Sequence, residues 1–438
     1  MDRVGTISAT YRVPYHDKPV YGVVSVPGSK SITNRALAIA ALAKGATRLN
    51  NALFSDDSRI LMAALRTVGY TVNADEASAT IDVFGAQTEP LQQRAEYDLF
   101  VGNSGTSTRF LTALLALGKG VYRMDGVARM RERPLGDLLN SLRAMGVDVR
   151  DLLGTGCPPI EIRGAGLPGG TVSIRGDESS QFVSALLMAA PYAQSPLRIE
   201  ILGELVSEPY VEMTRSMMAA FGVHTVRRER ILEIPQGVYQ ANTTYDIEPD
   251  ASGASYFMAA VALCGGEVTI RGLTRESLQG DVAFADVLEQ MGCTVTFSSH
   301  GVTIARGDEP LRGVDVDLFH LSDTVPTLAA IAPFASSAVT IRNVANIRVK
   351  ETDRIAACVA ELRAFGVEVE EFADGMRISP CRNLREGVSV RTYDDHRMAM
   401  AFSLLGMRVH DTQILDPMCV SKTFPTYYEH FEKLLDLS

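Results

Sequence analysis

The sequence predicts a mixed α+β protein of two lobes, each an inside-out α/β barrel of three repeated β-α-β-α-β-β units with buried helices and sheet outside. Three observations carry this. One helix–turn–strand pattern recurs six times, an amphipathic helix ending in glycine recurs between its copies, and the first helix of each copy is apolar nearly all round. At 438 residues the chain is too long for one ordinary core, and length alone leads to an expectation of about two domains.

The first pattern reads "ALAIAALAKGATRL", "FLTALLALGKGVYRM", "SALLMAAPYAQSPLRI", "YFMAAVALCGGEVTI", "TLAAIAPFASSAVTI" and "AMAFSLLGMRVHDTQI", with turns near residues 45, 120, 195, 266, 337 and 411. The second reads "LMAALRTVGYTVNAD", "LLNSLRAMGVDVRD", "MTRSMMAAFGVHTV", "VLEQMGCTVTF" and "VAELRAFGVEVEEF". It places Gly69, Gly146, Gly222, Gly292 and Gly366 at helix C-caps, where left-handed geometry is cheapest for glycine. The sixth copy, "YEHFEKLLDLS", runs out of chain before its strand. We therefore expect the N-terminal strands, Thr6 to Val13 and Val20 to Val26, to complete the last sheet. The lobes are then residues 27–249 and residues 1–26 plus 250–438, with hinges near 26–30 and 245–253, both marked by Gly and Pro.

Composition narrows the function. A net charge of -10 argues against a general nucleic-acid surface. No window holds eighteen uncharged apolar residues, and "MDRVGTISATYRV" lacks the pattern of a signal or transit peptide, so a cytoplasmic protein with no membrane association is expected. The six cysteines at 157, 264, 293, 358, 381 and 419 show no CxxC pair and no zinc spacing, which suits free thiols. No GxGxxG follows a strand, so dinucleotide binding has no support. "GSKS" resembles the end of a P-loop, but Ser29 separates Gly28 from Lys30 and Gly22 lies one residue too far upstream, which excludes that loop.

The polar residues gather at the starts of the buried helices: "GSKSITNR", "GNSGTSTR", "GDESSQ", "EPDASGAS", "LSDTVP" and "YDDHR". A helix N-terminus offers unpaired N–H groups and about half a positive charge, so each is a ready anion site. If the repeats pack alike, several of these termini converge on the cleft between the lobes. Ser, Asn, Asp and Gly at such places also serve as ordinary N-caps. Capping, however, does not require Lys30, Arg35, Arg109, His396 or Arg397 beside helices otherwise nearly free of charge, and burying such charges unpaired is costly. The first three motifs supply cationic, hydroxyl and amide groups, while the last three add Asp250, Asp323 and Asp395. Alone, "RVKETDR" also reads as a solvated helix start with i,i+3 or i,i+4 ion pairs. Likewise His396 reads as a satisfied buried histidine, Arg133 as the lead into a proline-opened helix, and Arg109 as a residue that orients its loop.

In order along essentially the whole chain, "GSKSITNRAL", "GNSGTSTRFL", "RMRERPLGDLL", "SSQFVSALLMAAP", "SEPY", "PDASGAS", "RVKETDRI", "YDDHRMAMAFSL" and "LDPMCVSKTFPTYYEHF" resemble the EPSP synthase family of enolpyruvyl transferases. The resemblance implies transfer of the enolpyruvyl group of phosphoenolpyruvate to the 5-hydroxyl of shikimate 3-phosphate in aromatic amino-acid biosynthesis, with no metal or organic cofactor. It assigns Lys30, Ser31, Arg35, Ser179, Ser180 and Gln181, with Ser207, Tyr210, Asp323, Asn346 and Lys350, to shikimate 3-phosphate. To phosphoenolpyruvate it assigns Lys30, Asn103, Gly105, Arg133 and Gln181, with Arg354, Arg397 and Lys422. The substrates bring about five negative charges together, which calls for arginine and lysine. Addition and elimination need a base and an acid: Asp323 is the candidate base for the hydroxyl and Glu351 the candidate for the methylene proton. Lys30 and Lys422 stabilise phosphate and shuttle protons, while Arg109, Asp395 and His396 support.

The chain departs from the family's familiar pattern at Phe110, where relatives often carry proline, and in reading "NSGTSTR" for "NAGTAMR". Gly105 leaves room for glyphosate, which occupies the phosphoenolpyruvate site in this family, so inhibition is expected. A monomer is expected. Two alternatives stay open at this point. One is the sister transferase with a UDP-linked amino-sugar acceptor, disfavoured because "DGVARMRERP" lacks cysteine and Lys30 is followed by Ser31. The other is a non-catalytic phosphosugar-binding protein, which would not require Asp323 and Glu351 together.

Overall fold

The computed structural model describes residues 10–85 and 96–436. Its chain divides into two compact units, a continuous one, Gly28–Glu248, and a discontinuous one, Met1–Pro27 with Pro249–Ser438. Twelve α-helices are described: α1 (Lys30–Leu42), α2 (Asp56–Thr67), α3 (Gly105–Ala116), α4 (Gly136–Ala144), α5 (Ser180–Ala189), α6 (Pro209–Ala220), α7 (Ala251–Cys264), α8 (Phe284–Gln290), α9 (Val325–Ile331), α10 (Arg354–Ala364), α11 (His396–Gly406) and α12 (Tyr427–Asp436). Among the described residues, no helix is long and apolar enough to cross a membrane.

Every residue of α3, α7 and α11 is buried. These and the other odd-numbered helices are the first helices of the repeats, and α3 packs on α1 and α5 as α9 packs on α7 and α11. Around them lie five four-stranded sheets and one three-stranded sheet. The second repeat shows the plan. Strand Glu96–Phe100 runs parallel to Val121–Asp125, which pairs antiparallel with Ile160–Arg163, and that strand takes Asp148–Asp151 at the edge. The central strands carry arginines paired across the sheet, as in Arg48–Asp82 and Arg342–Asp315, both 2.7 Å.

The even-numbered amphipathic helices end as expected. Gly69, Gly146, Gly222, Gly292 and Gly366 all have positive φ, between 84° and 106°. Each follows the C-cap by one residue, and the next N–H reaches back to the last turn, as in Val147 to the Leu142 carbonyl at 3.0 Å and Val367 to Leu362 at 3.1 Å. This is the hydrogen-bond pattern of a Schellman motif.

One expectation is corrected. Thr10–Arg12 does complete the last sheet, antiparallel to Gln413–Leu415, while residues 6–9 lie outside the described part. Val20–Val24, however, runs parallel to Gly266–Arg271 and leads the fourth repeat. The strand just before α7 in the chain, Thr244–Asp246, pairs instead with Arg48–Asn50 of the first repeat. The strand that leads each unit's first sheet is thus remote in sequence from the helix that follows it there, and the sequence reading misassigns Val20–Val24. The crossings are pinned within each unit, by Ser29 N–H to the Glu248 carbonyl at 2.8 Å and by Asp250 N–H to Pro27 at 2.9 Å.

The last strands of the fourth and fifth repeats open on glycines pressed against the neighbouring strand. A β-carbon on Gly375 would lie 2.0 Å from the Ile341 carbonyl oxygen, and on Gly301 2.1 Å from that of Ile270. Gly375→Ala is therefore expected to cost about 1–3 kcal/mol through overpacking, read as a lower midpoint in urea unfolding; an unchanged midpoint would contradict the close approach.

Candidate active site

All six polar motifs begin the first helices of the repeats. Part of five of them caps: Ser29, Ser104, Ser179, Asp250 and Asp395 accept N–H groups of Ile32, Ser107, Gln181, Gly253 and Arg397. In the "LSDTVP" motif the short 3-10 turn Ser322–Thr324 leads into α9. The residues left over are charged, amide or hydroxyl groups carried at the helix starts, which is where an all-apolar helix surface ends.

In the continuous unit Lys30 opens α1 and lies 3.4 Å from the buried Asp57 carboxylate. One turn on, Arg35 is 1% exposed. Its Nε donates to Thr214 Oγ1 (2.7 Å), Nη1 to the Ser31 carbonyl (3.0 Å), and Nη2 to Ser184 Oγ (3.2 Å) and the Tyr210 carbonyl (3.3 Å). Burial pulls its pKa down to about 10. Ser207, with φ of 52°, directs the chain into α6 and Tyr210. From α5, beyond Ser179 and Ser180, Gln181 accepts from Arg109 Nη1 (2.7 Å) and donates to Thr106 Oγ1 (3.2 Å). Arg109 also donates to the Pro134 carbonyl, so it fixes an amide and a loop. Arg133 Nη1 donates to the Asn103 carbonyl at 2.9 Å. Its guanidinium lies over Gly105 so closely that a β-carbon there would come 2.6 Å from Nη2. With this Arg133 rotamer, a side chain at position 105 would make the guanidinium move.

The discontinuous unit handles charge differently. Arg354, 1% exposed, opens α10 and is held by three carboxylates. Nε donates to Asp395 at 2.7 Å, Nη2 to Glu351 at 2.8 Å and to Asp395 at 3.2 Å, and Nη1 to Asp323 at 3.0 Å. Burial opposes its charge, but Asp395, Glu351 and Asp323 outweigh that and raise its pKa. Four of its five N–H groups are thus assigned, leaving one on Nη1. Asp323 also accepts from Arg397 Nη2 at 2.7 Å. Lys422 Nζ lies 3.7 Å from Glu351, and Asn346 Nδ2 donates to Ser322 at 3.1 Å. Lys350 caps the turn Ala345–Val349 that carries Asn346, and His396 is fully buried in α11 beside Asp395. In "RVKETDR", Arg348–Asp353 is a partly exposed pair at 2.7 Å, five residues apart, while the i,i+3 pair, Glu351–Arg354, is buried and not solvated.

The expected residues therefore fall into two sets, Lys30 to Tyr210 in the continuous unit and Asp323 to Lys422 in the discontinuous one. Sequence reasoning missed Asp281. "GD" before an amphipathic helix reads as a cap, yet its carboxylate accepts the Ser252 hydroxyl. Burial, then the Asp323 charge, raises its pKa from 3.8 to about 6, against the Ser252 hydrogen bond and Arg397. Asp57, Ser184 and Thr214 also escaped notice, since each sits in a stretch that reads as plain helix, and Thr106 went unnamed within "GNSGTSTR".

Comparison with known proteins follows this geometry. The family model for EPSP synthase (3-phosphoshikimate 1-carboxyvinyltransferase) matches residues 14–431. The chain belongs to the EPSP synthase family. It is 48% identical to the 3-phosphoshikimate 1-carboxyvinyltransferase of Nostoc sp. over 428 residues, covering 98% of this chain and 100% of that one. With the enzyme of that name from Yersinia pestis it shares 45% over 423 residues, covering 96% and 97%. The structure of EPSP synthase from Acinetobacter baumannii superposes with a TM-score of 0.81 at 25% identity, covering 97% of this chain and 98% of that one. An enolpyruvyl transferase from Streptomyces tendae has a TM-score of 0.79 at 20% identity, covering 98% of each chain, a likeness of fold alone. Like those relatives, this EPSP synthase family member is a transferase.

Asp281 sets a pH-dependent test. A carboxyl whose folded pKa lies above its unfolded value favours folding while protonated, and it costs stability as pH rises from about 4 through about 6. Asp281→Asn stays neutral, so its stability relative to the parent should grow by about 2–3 kcal/mol between pH 4 and pH 8, read from urea unfolding at both ends. A gap independent of pH would count against the buried carboxyl.

Proposed function

We propose that the chain transfers the enolpyruvyl group of phosphoenolpyruvate to the 5-hydroxyl of shikimate 3-phosphate, giving 5-enolpyruvylshikimate 3-phosphate and phosphate in the shikimate pathway. Family membership supports the reaction. The observation that carries the mechanism is Asp323 held by two guanidiniums, with Glu351 on the same Arg354 and Lys422 beyond it. A binding protein needs cations for its anions but has no use for two carboxylates fixed on one arginine.

The contacts support a role for each residue. Asp323, oriented through both oxygens by Arg354 and Arg397, is the base for the 5-hydroxyl. Glu351, oriented by Arg354 and 3.7 Å from Lys422, exchanges the methylene proton, with Lys422 supplying charge. Lys30, Ser31, Arg35, Ser179, Ser180, Gln181, Ser207 and Tyr210, with Asn346 and Lys350, serve shikimate 3-phosphate. Lys30, Asn103, Gly105, Arg133 and Gln181, with Arg354, Arg397 and Lys422, serve phosphoenolpyruvate. Arg109 acts through Gln181, and Asp395 through Arg354. Because Gly105 brings no side chain between the α3 N-terminus and Arg133, glyphosate fits as an inhibitor. The six cysteines are free thiols, as suits a reducing compartment such as the cytoplasm. We read the chain as a monomer, to be checked by sedimentation.

Protein mixed with shikimate 3-phosphate and phosphoenolpyruvate should release phosphate, and a UDP-linked amino sugar in place of the first should give none. Lys30→Ala should abolish turnover, by at least about a hundredfold, while leaving the far-ultraviolet dichroism intact; near-normal turnover would overturn the assignment. Glyphosate should suppress the same signal in competition with phosphoenolpyruvate, and no effect far above the phosphoenolpyruvate KM would refute that reading.

A further inference from the structure

Arg35 and Arg354 are equally buried, yet their surroundings are opposite in kind. Three carboxylates enclose Arg354, whereas the acceptors around Arg35 are two hydroxyls and two carbonyls, and no carboxylate pairs with it among the described residues. A buried cation without counter-charge is costly. What stands in for the carboxylates is aromatic. The Phe110 ring centroid lies 5.2 Å from Arg35 Cζ and that of Tyr210 lies 5.7 Å away, both within the reach of a cation–π contact. Tyr210 is also tied to Arg35 through its carbonyl. Phe110, 2% exposed on α3, offers nothing but its ring.

A ring face has a consequence that a carboxylate lacks. A carboxylate beside Arg35 would neutralise it and repel an incoming phosphate; a ring face compensates the charge only in part and carries no charge of its own. Four of the five Arg35 N–H groups are taken by neutral acceptors, which leaves one on Nη1 for an anion.

We propose that Phe110 is a positioning residue for substrate binding: its ring holds the Arg35 guanidinium in place and lets a phosphorylated acceptor find that charge uncancelled. The inference rests on the reading of Arg35 as a shikimate 3-phosphate ligand.

Two variants test it, Phe110→Leu and pentafluorophenylalanine introduced at position 110, which keeps the shape of the ring but removes its negative face. Each should raise the Kd for shikimate 3-phosphate by calorimetry, and its KM, roughly tenfold, with kcat within about twofold. A merely structural role would lower the unfolding midpoint and leave KM alone. An unchanged Kd in the fluorinated protein overturns the proposal. Should the parent neither bind shikimate 3-phosphate nor turn over, the proposed function falls on its own. The ring contact is then read from the Arg35 Nε–H resonance, identified by its absence in Arg35→Lys. That resonance should move on fluorination, and an unmoved resonance overturns the proposal.

Discussion

A helix buried on every side can show polar groups only at its ends, and both units are built around helices of this kind. Because α3, α7 and α11 are buried at every position, each polar side chain on them must be capped, paired or brought to the terminus. The apolar runs and the polar motifs are therefore one constraint seen twice. The same constraint bears on Gly105: at the first residue of a buried helix, a β-carbon would push the Arg133 guanidinium from its present place.

The units solve the burial of charge by two routes. Carboxylates from three separate elements meet on Arg354, so the site of the discontinuous unit is a network in which removing any one member strands another. Such a network suits proton transfer, because its carboxylates are held in fixed directions. The continuous unit instead surrounds Arg35 with hydroxyls, carbonyls and rings, and Gln181 is fixed by Arg109 and Thr106. Lys30 of the same unit lies 3.4 Å from the Asp57 carboxylate, so it is Arg35 in particular that is kept from carboxylates. The two buried arginines thus differ in the kind of partner each is given.

Much of this was legible in the sequence. Periodicity revealed the six repeats, and the five glycines after the amphipathic helices announced their left-handed φ, because both are local properties of the chain. The helix-start motifs pointed to the charged residues for the same reason. What escaped was non-local. Val20–Val24 and Thr244–Asp246 each stand before a helix and pair with a sheet elsewhere, and strand spelling carries no address. Asp281 went unnoticed because its partners, Ser252 on α7 and the charge of Asp323, come from distant segments. Ser, Asp and Asn serve at caps and elsewhere alike, so only geometry shows that Ser104 caps α3.

The placement of the two leading strands governs how the chain is assembled during synthesis. The continuous unit closes on itself as soon as Thr244–Asp246 joins Arg48–Asn50, with every strand it needs already made. Thr10–Arg12 and Val20–Val24 leave the ribosome before the continuous unit yet have no partners until Gln413–Leu415 and Gly266–Arg271 follow. These two segments thus gain their neighbours late, and the insert acquires its own core while they wait.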